Sequence, residues 1–297
     1  MKTLNLTRIP IFLLLIILWH GCQELEPVSI TNENNDTQFI EMQTIGNTID
    51  SLLAPSGVDS FGLVGSTGKY FARMIITGIR NDLPLRSDSV SQAEAIFLDR
   101  LNPFQANGRT FAYPSFDIGS ILLNGDTLIK QQRQTRISGK DSLLGYRYQL
   151  RKNYSYESGK IYRWQITGNG NIDSTEISIS SPSEIRVLQI YPPAILPGVP
   201  LNIKWQCTNK FVNIVVSRES GLQQKSWVPI IHLKVRNSKG EVIIPEKILD
   251  LLPTKQYRRF LFTFSSESKF STNLNGYPDS VLVESASLHN ILLNVGS

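Results

Sequence analysis

The chain is poor in cysteine and histidine, with 2 cysteines and 3 histidines among 297 residues. A structural zinc site needs about four nitrogen or sulfur ligands close together. After residue 21 the only histidines are His232 and His289, so the sequence predicts no metal site and no cofactor. His232 lies in an apolar stretch and is interpreted as an ordinary strand residue. Cys207 is expected to be a small buried side chain rather than a catalytic thiol.

Recognisable catalytic motifs are missing as well. The segment Gly65-Ser66-Thr67-Gly68-Lys69 has the composition of a phosphate-binding loop but not its spacing, because Leu63 stands where the first glycine belongs. Tyr70 follows the lysine, where a magnesium-binding hydroxyl is required. The chain contains no Gly-x-Ser-x-Gly turn for a nucleophilic serine. The sequence therefore predicts no catalytic residue.

The charge balance is close to neutral, with 30 Lys+Arg against 25 Asp+Glu. Nucleic-acid binders concentrate their basic residues in a stripe. The densest basic stretch here contains only Lys130, Arg133, Arg136 and Lys140. An anionic glycan or lipid head group could bind it, but a solvated loop is the favoured interpretation. The sequence predicts no nucleic-acid partner.

The start of the chain has the pattern of an export signal. Lys2 and Arg8 precede an apolar run over residues 9–19, which is too short to span a bilayer comfortably. The run ends at Trp19-His20-Gly21-Cys22, which resembles the lipobox of bacterial lipoproteins. That resemblance implies a signal peptide over residues 1–21, lipidation of Cys22 and attachment to a membrane through the lipid. The alternatives are an ordinary signal peptide with a chance cysteine and an uncut N-terminal anchor.

The residues after Cys22 are short, acidic and polar. Gln23-Glu24-Leu25-Glu26-Pro27 resembles the export tag of surface-exposed lipoproteins of the Bacteroidota. The resemblance implies a location on the outer membrane, exposed at the cell surface. Residues 31–38 show no apolar periodicity, so residues 22–40 are predicted to form a lipid anchor and flexible tether.

Most of the remaining chain alternates polar and apolar residues, which is typical of half-buried strands. Tyr162, Trp164 and Ile166 alternate with polar residues, and Asn124-Gly125 indicates a tight hairpin turn. Only residues 245–252 have a helical pattern. We predict an all-β fold of two β-sandwich-like domains, over residues 41–182 and 183–297. A single irregular barrel is the alternative for the first domain.

The second domain contains the clearest alternation, over residues 201–208. Its apolar positions predict a central strand that buries four side chains and turns Asn202, Lys204 and Gln206 outward. The four are Leu201, Ile203, Trp205 and Cys207. Together with Gly198 and the apolar run 212–216, this segment resembles the immunoglobulin-like sandwich of secreted surface proteins. The resemblance covers about residues 185–265 and implies fold and location only.

Aspartate is followed by a hydroxyl residue more often than chance predicts. Of the 12 aspartates after residue 21, 8 precede Ser or Thr, and 6 of these continue with an apolar residue or threonine. The triplets resemble the O-glycosylation acceptor of exported Bacteroidota proteins, and turn chemistry accounts for part of the excess. The implied acceptors are Ser51, Ser89, Thr127, Ser142, Ser174 and Ser280.

Two functional hypotheses follow. The first is a non-enzymatic surface lipoprotein that binds a protein or glycan partner through sheet faces or loops. The second is a hydrolase of extracellular polymers with a pair of carboxylates from loops. Trp227 follows a polar run and is the candidate for an exposed ring that stacks on a sugar, although packing in the core or at a strand edge is the favoured interpretation. Trp164 and Trp205 are expected in the core.

Overall fold

The computed structural model describes residues 28–31, 39–44, 70–83, 86–106, 109–137, 140–150, 154–220 and 227–296. This part of the chain is almost entirely strand, which confirms the prediction of an all-β, sandwich-like fold. Within it, no helix is long and apolar enough to cross a membrane. The elements are β1 (Val28–Thr31), β2 (Phe39–Thr44), β3 (Ala72–Leu83), β4 (Arg86–Phe97), β5 (Phe104–Ala106), β6 (Arg109–Ala112), β7 (Ile121–Leu123), β8 (Asp126–Thr127), β9 (Ile129–Ile137), β10 (Lys140–Gln149), β11 (Ile161–Ile166), β12 (Thr175–Ser180), β13 (Arg186–Tyr191), β14 (Leu201–Gln206), β15 (Phe211–Glu219), β16 (Trp227–Arg236), β17 (Glu241–Ile244), α1 (Glu246–Leu249), β18 (Arg259–Asn273) and β19 (Ser280–Asn294).

One ten-stranded sheet takes strands from both halves of the chain. Its order is β1-β2-β16-β15-β18-β19-β3-β4-β10-β9. All neighbours are antiparallel except β19 and β3, which run parallel from the pair Val281 and Ala72 to the pair Ile291 and Asp82. This parallel pair joins the strands of the N-terminal half to those of the C-terminal half.

Two small sheets cover one face of the large sheet, which we call the inner face. The four-stranded sheet β12-β11-β7-β8 and the three-stranded sheet β13-β14-β17 each enclose an apolar core against it. We call these the N-terminal core, with Trp164 and Met74 at its centre, and the C-terminal core, with Trp205 and Phe262. Strand β19 contributes to both, because Val283 lies in the first and Leu293 in the second.

The prediction for residues 201–208 is confirmed for the strand itself. Strand β14 is the central strand of its sheet, with Leu201, Ile203 and Trp205 buried. Lys204 and Gln206 are exposed, as the two-residue period requires. Cys207 lies just after the strand and is partly buried against the C-terminal core.

The predicted hairpin is also confirmed. Strands β7 and β8 pair around Asn124 and Gly125, whose φ angles are 51° and 87°. Two successive positive φ angles define the turn that matches the natural twist of a hairpin. The helical pattern over residues 245–252 forms one short helix, α1, at Glu246–Leu249.

Part of the segment predicted as a flexible tether, residues 22–40, forms β-strands. Strands β1 and β2 pair with each other, and β2 pairs with β16 at the edge of the large sheet. Ile40 and Met42 are buried in the C-terminal core, because these alternate apolar residues point to the inner face. The predicted boundary at residue 182 falls between the two small sheets, while the large sheet continues on both sides of it.

Candidate functional site

The inner face turns polar between the two cores, and we call this band the seam. On β3 the alternation of Met74 and Ile76 continues with Gly78, Arg80 and Asp82. Strand β19 shows the same change, and its pairing with β3 places the polar residues of the two strands side by side. The seam consists of Gly78, Arg80, Asp82, Ser87, Ser89, Ser91, Ser285, Ser287 and His289.

The segment that joins the two small sheets crosses the seam and is hydrogen-bonded to it. The amide of Ile185 donates to Ser287 Oγ at 3.1 Å, and the amide of Val187 donates to His289 Nδ1 at 2.8 Å. The amide of Glu184 donates to Ser158 Oγ at 2.8 Å. The Ile185 amide is buried and the Val187 amide is partly buried, so leaving either without a partner would be costly. The polar seam therefore supplies hydrogen-bond acceptors for the backbone amides of the connecting segment.

His289 is completely buried and has a fixed tautomer. Its Nδ1 accepts from Val187, so Nε2 carries the proton and donates to Asp82 Oδ2 at 2.8 Å. Burial lowers the pKa of His289 and outweighs the opposite effect of Asp82. Since both ring nitrogens are engaged, the imidazole is a neutral structural link and is not poised as a general base.

Asp82 and Glu184 lie on either side of one arginine. Arg80 Nε is 3.5 Å from Asp82 Oδ2, and its Nη1 is 4.0 Å from Glu184 Oε1. Burial acts to raise the pKa of Asp82, but hydrogen bonds from His289 and Ser87 outweigh it and lower that pKa overall. Asp82 is therefore ionised at neutral pH, and with Glu184 it contributes two negative charges against one positive charge.

A groove of about 170 Å³ opens along the seam beside this charge cluster. Hydroxyl groups dominate its polar lining, which is completed by one arginine and one glutamate. The polar lining includes Arg80, Ser89, Ser91, Ser155, Glu184 and Ser287. Its volume is below the roughly 300–1,000 Å³ of sites that enclose a whole small molecule, so it fits a small unit.

Tyr156 forms one wall of the groove, and its position explains why residue 78 is glycine. A Cβ atom on Gly78 would lie 2.4 Å from Tyr156 Cδ1, so only glycine allows the ring to approach the sheet. The ring also stacks on Tyr162, with centroids 5.9 Å apart and planes 17° apart. Burial raises the pKa of Tyr156. The wall is therefore rigid, and its ring is already packed.

Trp227 is not an exposed ring, which corrects the prediction of a sugar-stacking residue. It is only 8% exposed and packs with Val215 and Leu261 on the outer face of the large sheet. The polar run before it suggested exposure, but pairing of β16 with β15 brings the indole over these apolar neighbours. A ring with so little open surface cannot stack on a ligand.

The predicted modification sites fall in different places. Four acceptor residues, Ser89, Thr127, Ser174 and Ser280, are exposed. Cys22, Ser51 and the side chain of Ser142 lie outside the described residues. Ser89 also lines the seam groove.

The basic stretch forms strand rather than a loop. Lys130 forms an ion pair with Asp117 and lies 4.0 Å from the centre of the Tyr146 ring. Arg133 instead donates to the carbonyl of Tyr113 at 3.3 Å. The alternation along β9 turns these two cations to opposite faces, so they do not form a basic patch together.

The remaining histidine and cysteine are also structural. Burial lowers the pKa of His232, whose Nε2 lies 3.3 Å from Asn213 Oδ1. Cys207 Sγ lies 3.2 Å from Ser183 Oγ. Among the described residues, no group of three or more His, Cys, Asp or Glu side chains is arranged to hold a metal ion.

The outer face of the large sheet carries a second polar row. Thr263 Oγ1 donates to Asn290 Oδ1 at 2.7 Å, and Asn290 Nδ2 donates to Asn81 Oδ1 at 2.9 Å. Asn81 Nδ2 completes the row by donating to Asp88 Oδ1 at 2.7 Å. The row links β18, β19, β3 and β4 through their side chains. Because its donors and acceptors serve one another, we assign it to sheet cohesion.

The motifs and alternation of the sequence do not predict Arg80, Glu184 and Tyr156 as site residues. One signal was available on β19, where Ser285, Ser287 and His289 interrupt an otherwise apolar alternation. A search among protein-family models and among curated proteins finds no match for this chain.

Proposed function

We propose that this protein is a non-enzymatic binding module whose seam groove receives part of a protein or glycan partner. The observation that carries the proposal is the groove itself, which presents hydroxyl and charged side chains on a rigid sheet. Rigid display of a few polar groups in a concave site is typical of specific ligand binding.

The groove chemistry favours binding over hydrolysis. A glycoside hydrolase needs one carboxylic acid and one carboxylate that face each other across the scissile bond. Asp82 and Glu184 instead flank Arg80, and Asp82 also accepts from His289 and Ser87. Burial acts to raise the pKa of Asp82, but hydrogen bonds from His289 and Ser87 lower it overall, so this carboxyl is not held protonated as a general acid.

The proposal includes a location on the outer membrane, anchored through lipid on Cys22. The apolar run over residues 9–19 and the Gly21-Cys22 pair support it. With a Cys22→Ser variant, the protein should remain unprocessed or leave the membrane fraction. A variant that still partitions wholly into the outer membrane at mature size would overturn the anchor. The resemblance of residues 185–265 to an immunoglobulin-like domain stays a prediction.

O-glycosylation is a further part of this proposal. Exposure of Ser89, Thr127, Ser174 and Ser280 meets the first requirement, since a transferase must reach the hydroxyl. Mass spectrometry of the native protein should find sugar on several of the six triplets. A mature mass equal to that of the lipidated polypeptide alone would contradict it.

The binding proposal is tested by blocking the groove. Ser155 is exposed on the groove rim, so Ser155→Trp should fill the opening without disturbing the core. The matched control is Ser178→Trp, since Ser178 is an exposed serine on β12. Pull-down from intact cells should recover a partner with wild type and control but not with Ser155→Trp. Equal recovery by all three proteins would reject the groove as the site.

A further inference from the structure

The geometry points to a neutral sugar unit as the ligand of the seam groove, with acidic sugars excluded. This inference rests on the proposed binding function and makes it specific. It draws on three independent features, which are the net charge of the cluster beside the groove, the fixed hydroxyl groups of its lining and its size.

The charge cluster beside the groove repels anions. Arg80 contributes one positive charge, and Asp82 and Glu184 contribute one negative charge each. His289 adds none, because its Nδ1 accepts a backbone hydrogen bond and cannot carry a proton at the same time. The net charge is therefore −1. A carboxylate, sulfate or phosphate on the ligand would compete with two acids for a single guanidinium.

The hydroxyl groups of the groove are oriented by the backbone. Ser91 Oγ accepts from the amide of Tyr156 at 3.0 Å, and Ser287 Oγ accepts from the amide of Ile185 at 3.1 Å. Each of these serines therefore keeps its own O–H proton for donation, while Glu184 supplies acceptor oxygens. Sugar hydroxyls both donate and accept, so they match this mixture of groups.

The size and the packed aromatic wall define how the sugar binds. A volume of about 170 Å³ suits one unit at the end or edge of a glycan rather than a long segment. The Tyr156 ring already contacts Gly78 and Tyr162, so recognition depends on hydrogen bonds more than on stacking.

The test compares a neutral oligosaccharide with its uronic-acid counterpart, in which one hydroxymethyl group is a carboxylate. Binding to the full mature chain is measured by calorimetry, after mass spectrometry has shown that Ser89 is unmodified. We expect the neutral ligand to bind at least about tenfold more tightly, a difference that shrinks as salt screens the charges. Asp82→Asn should bring the two affinities together while keeping neutral binding, because Asp82 lies outside the groove lining and asparagine keeps an acceptor oxygen for His289 Nε2.

The outcomes separate this inference from the proposed function. Equal or tighter binding of the uronic acid would overturn the neutral-sugar inference but leave the groove as a binding site. If neither sugar binds while Ser155→Trp abolishes recovery of a protein partner, the ligand class is wrong and the binding function stands. If neither sugar binds and Ser155→Trp recovers the same partners as Ser178→Trp, both proposals fail.

Discussion

The two cores and the seam share one face of the same sheet, yet they bury opposite kinds of side chain. On β19, Val283 and Leu293 belong to the cores, whereas Ser287 and His289 lie between them. Core residues are stabilised by the apolar area that they remove from water. Ser287 and His289 are buried in the seam, where the connecting segment offers backbone amides to them. A covered sheet face can therefore be polar wherever the covering chain needs partners.

The largest difference between the two regions should come from removing a core ring. Trp205 is 3% exposed in the C-terminal core, and its Nε1 donates to Asn237 Oδ1 at 3.0 Å. Trp205→Ala should lower the free energy of unfolding by about 3–5 kcal/mol, through lost burial and a cavity. Urea denaturation measures this loss. If Trp205→Ala loses less free energy of unfolding than a seam variant does, the distinction between core and seam is wrong.

An apolar substitution in the seam should have a smaller but definite effect. His289→Leu leaves the amide of Val187 without its acceptor and removes one of the donors to Asp82, which keeps Ser87. The expected loss in free energy of unfolding is about 1–3 kcal/mol, the range for an unsatisfied buried polar group. His232→Leu provides the comparison, because His232 Nε2 lies 3.3 Å from a side-chain oxygen, Asn213 Oδ1, whereas His289 accepts from a backbone amide. If His289→Leu stabilises the protein, the hydrogen-bonded seam is wrong.

The sequence predicts the two cores better than it predicts the seam. The period of two along β14 predicts that Trp205 is buried, and the Asn124-Gly125 pair predicts the hairpin of β7 and β8. Both signals are local in the sequence. The parallel pairing of β19 with β3 has no local signal, since alternation fixes a strand's faces but not its distant partner. The groove depends on that pairing, so Arg80, Ser287 and Glu184 could not be placed together.

Acidification should weaken the folded state through its two buried histidines. Burial lowers the pKa of His289 and of His232, while each titrates near 6.5 in the unfolded chain. Between the lowered pKa and about 6.5 the unfolded chain binds more protons, so stability is complete above that range and falls as the pH drops through it. Urea denaturation at about pH 7.5 and about pH 5.5 brackets the upper end of this range.

The His289→Leu variant isolates the seam contribution to this pH dependence. It should lose less stability than wild type over the same interval, because the group that must titrate has been removed. An unchanged slope in the variant would show that His289 is not buried in its neutral form.

The smallest effect should come from the solvent side of β14. Lys204 is exposed, and its Nζ lies 3.8 Å from Glu241 Oε2. Exposed ion pairs contribute little, so Lys204→Ala should change the free energy of unfolding by no more than about 0.5 kcal/mol. Equal losses in free energy of unfolding for Lys204→Ala and Trp205→Ala would contradict the assignment of buried and exposed faces on β14.

The most direct test of the account is hydrogen–deuterium exchange of the full mature chain with and without the bound partner. If the seam is the binding site, protection should increase over residues 78–83, 86–91, 154–158 and 184–187, which line the groove or lie beside it. Thr263, Asn290 and Asn81 already hydrogen-bond to one another on the outer face. Protection of β18 near Thr263 should therefore stay unchanged. Protection confined to β18 or to the edge strands β1 and β2, with residues 78–83 and 86–91 unaltered, would contradict the account.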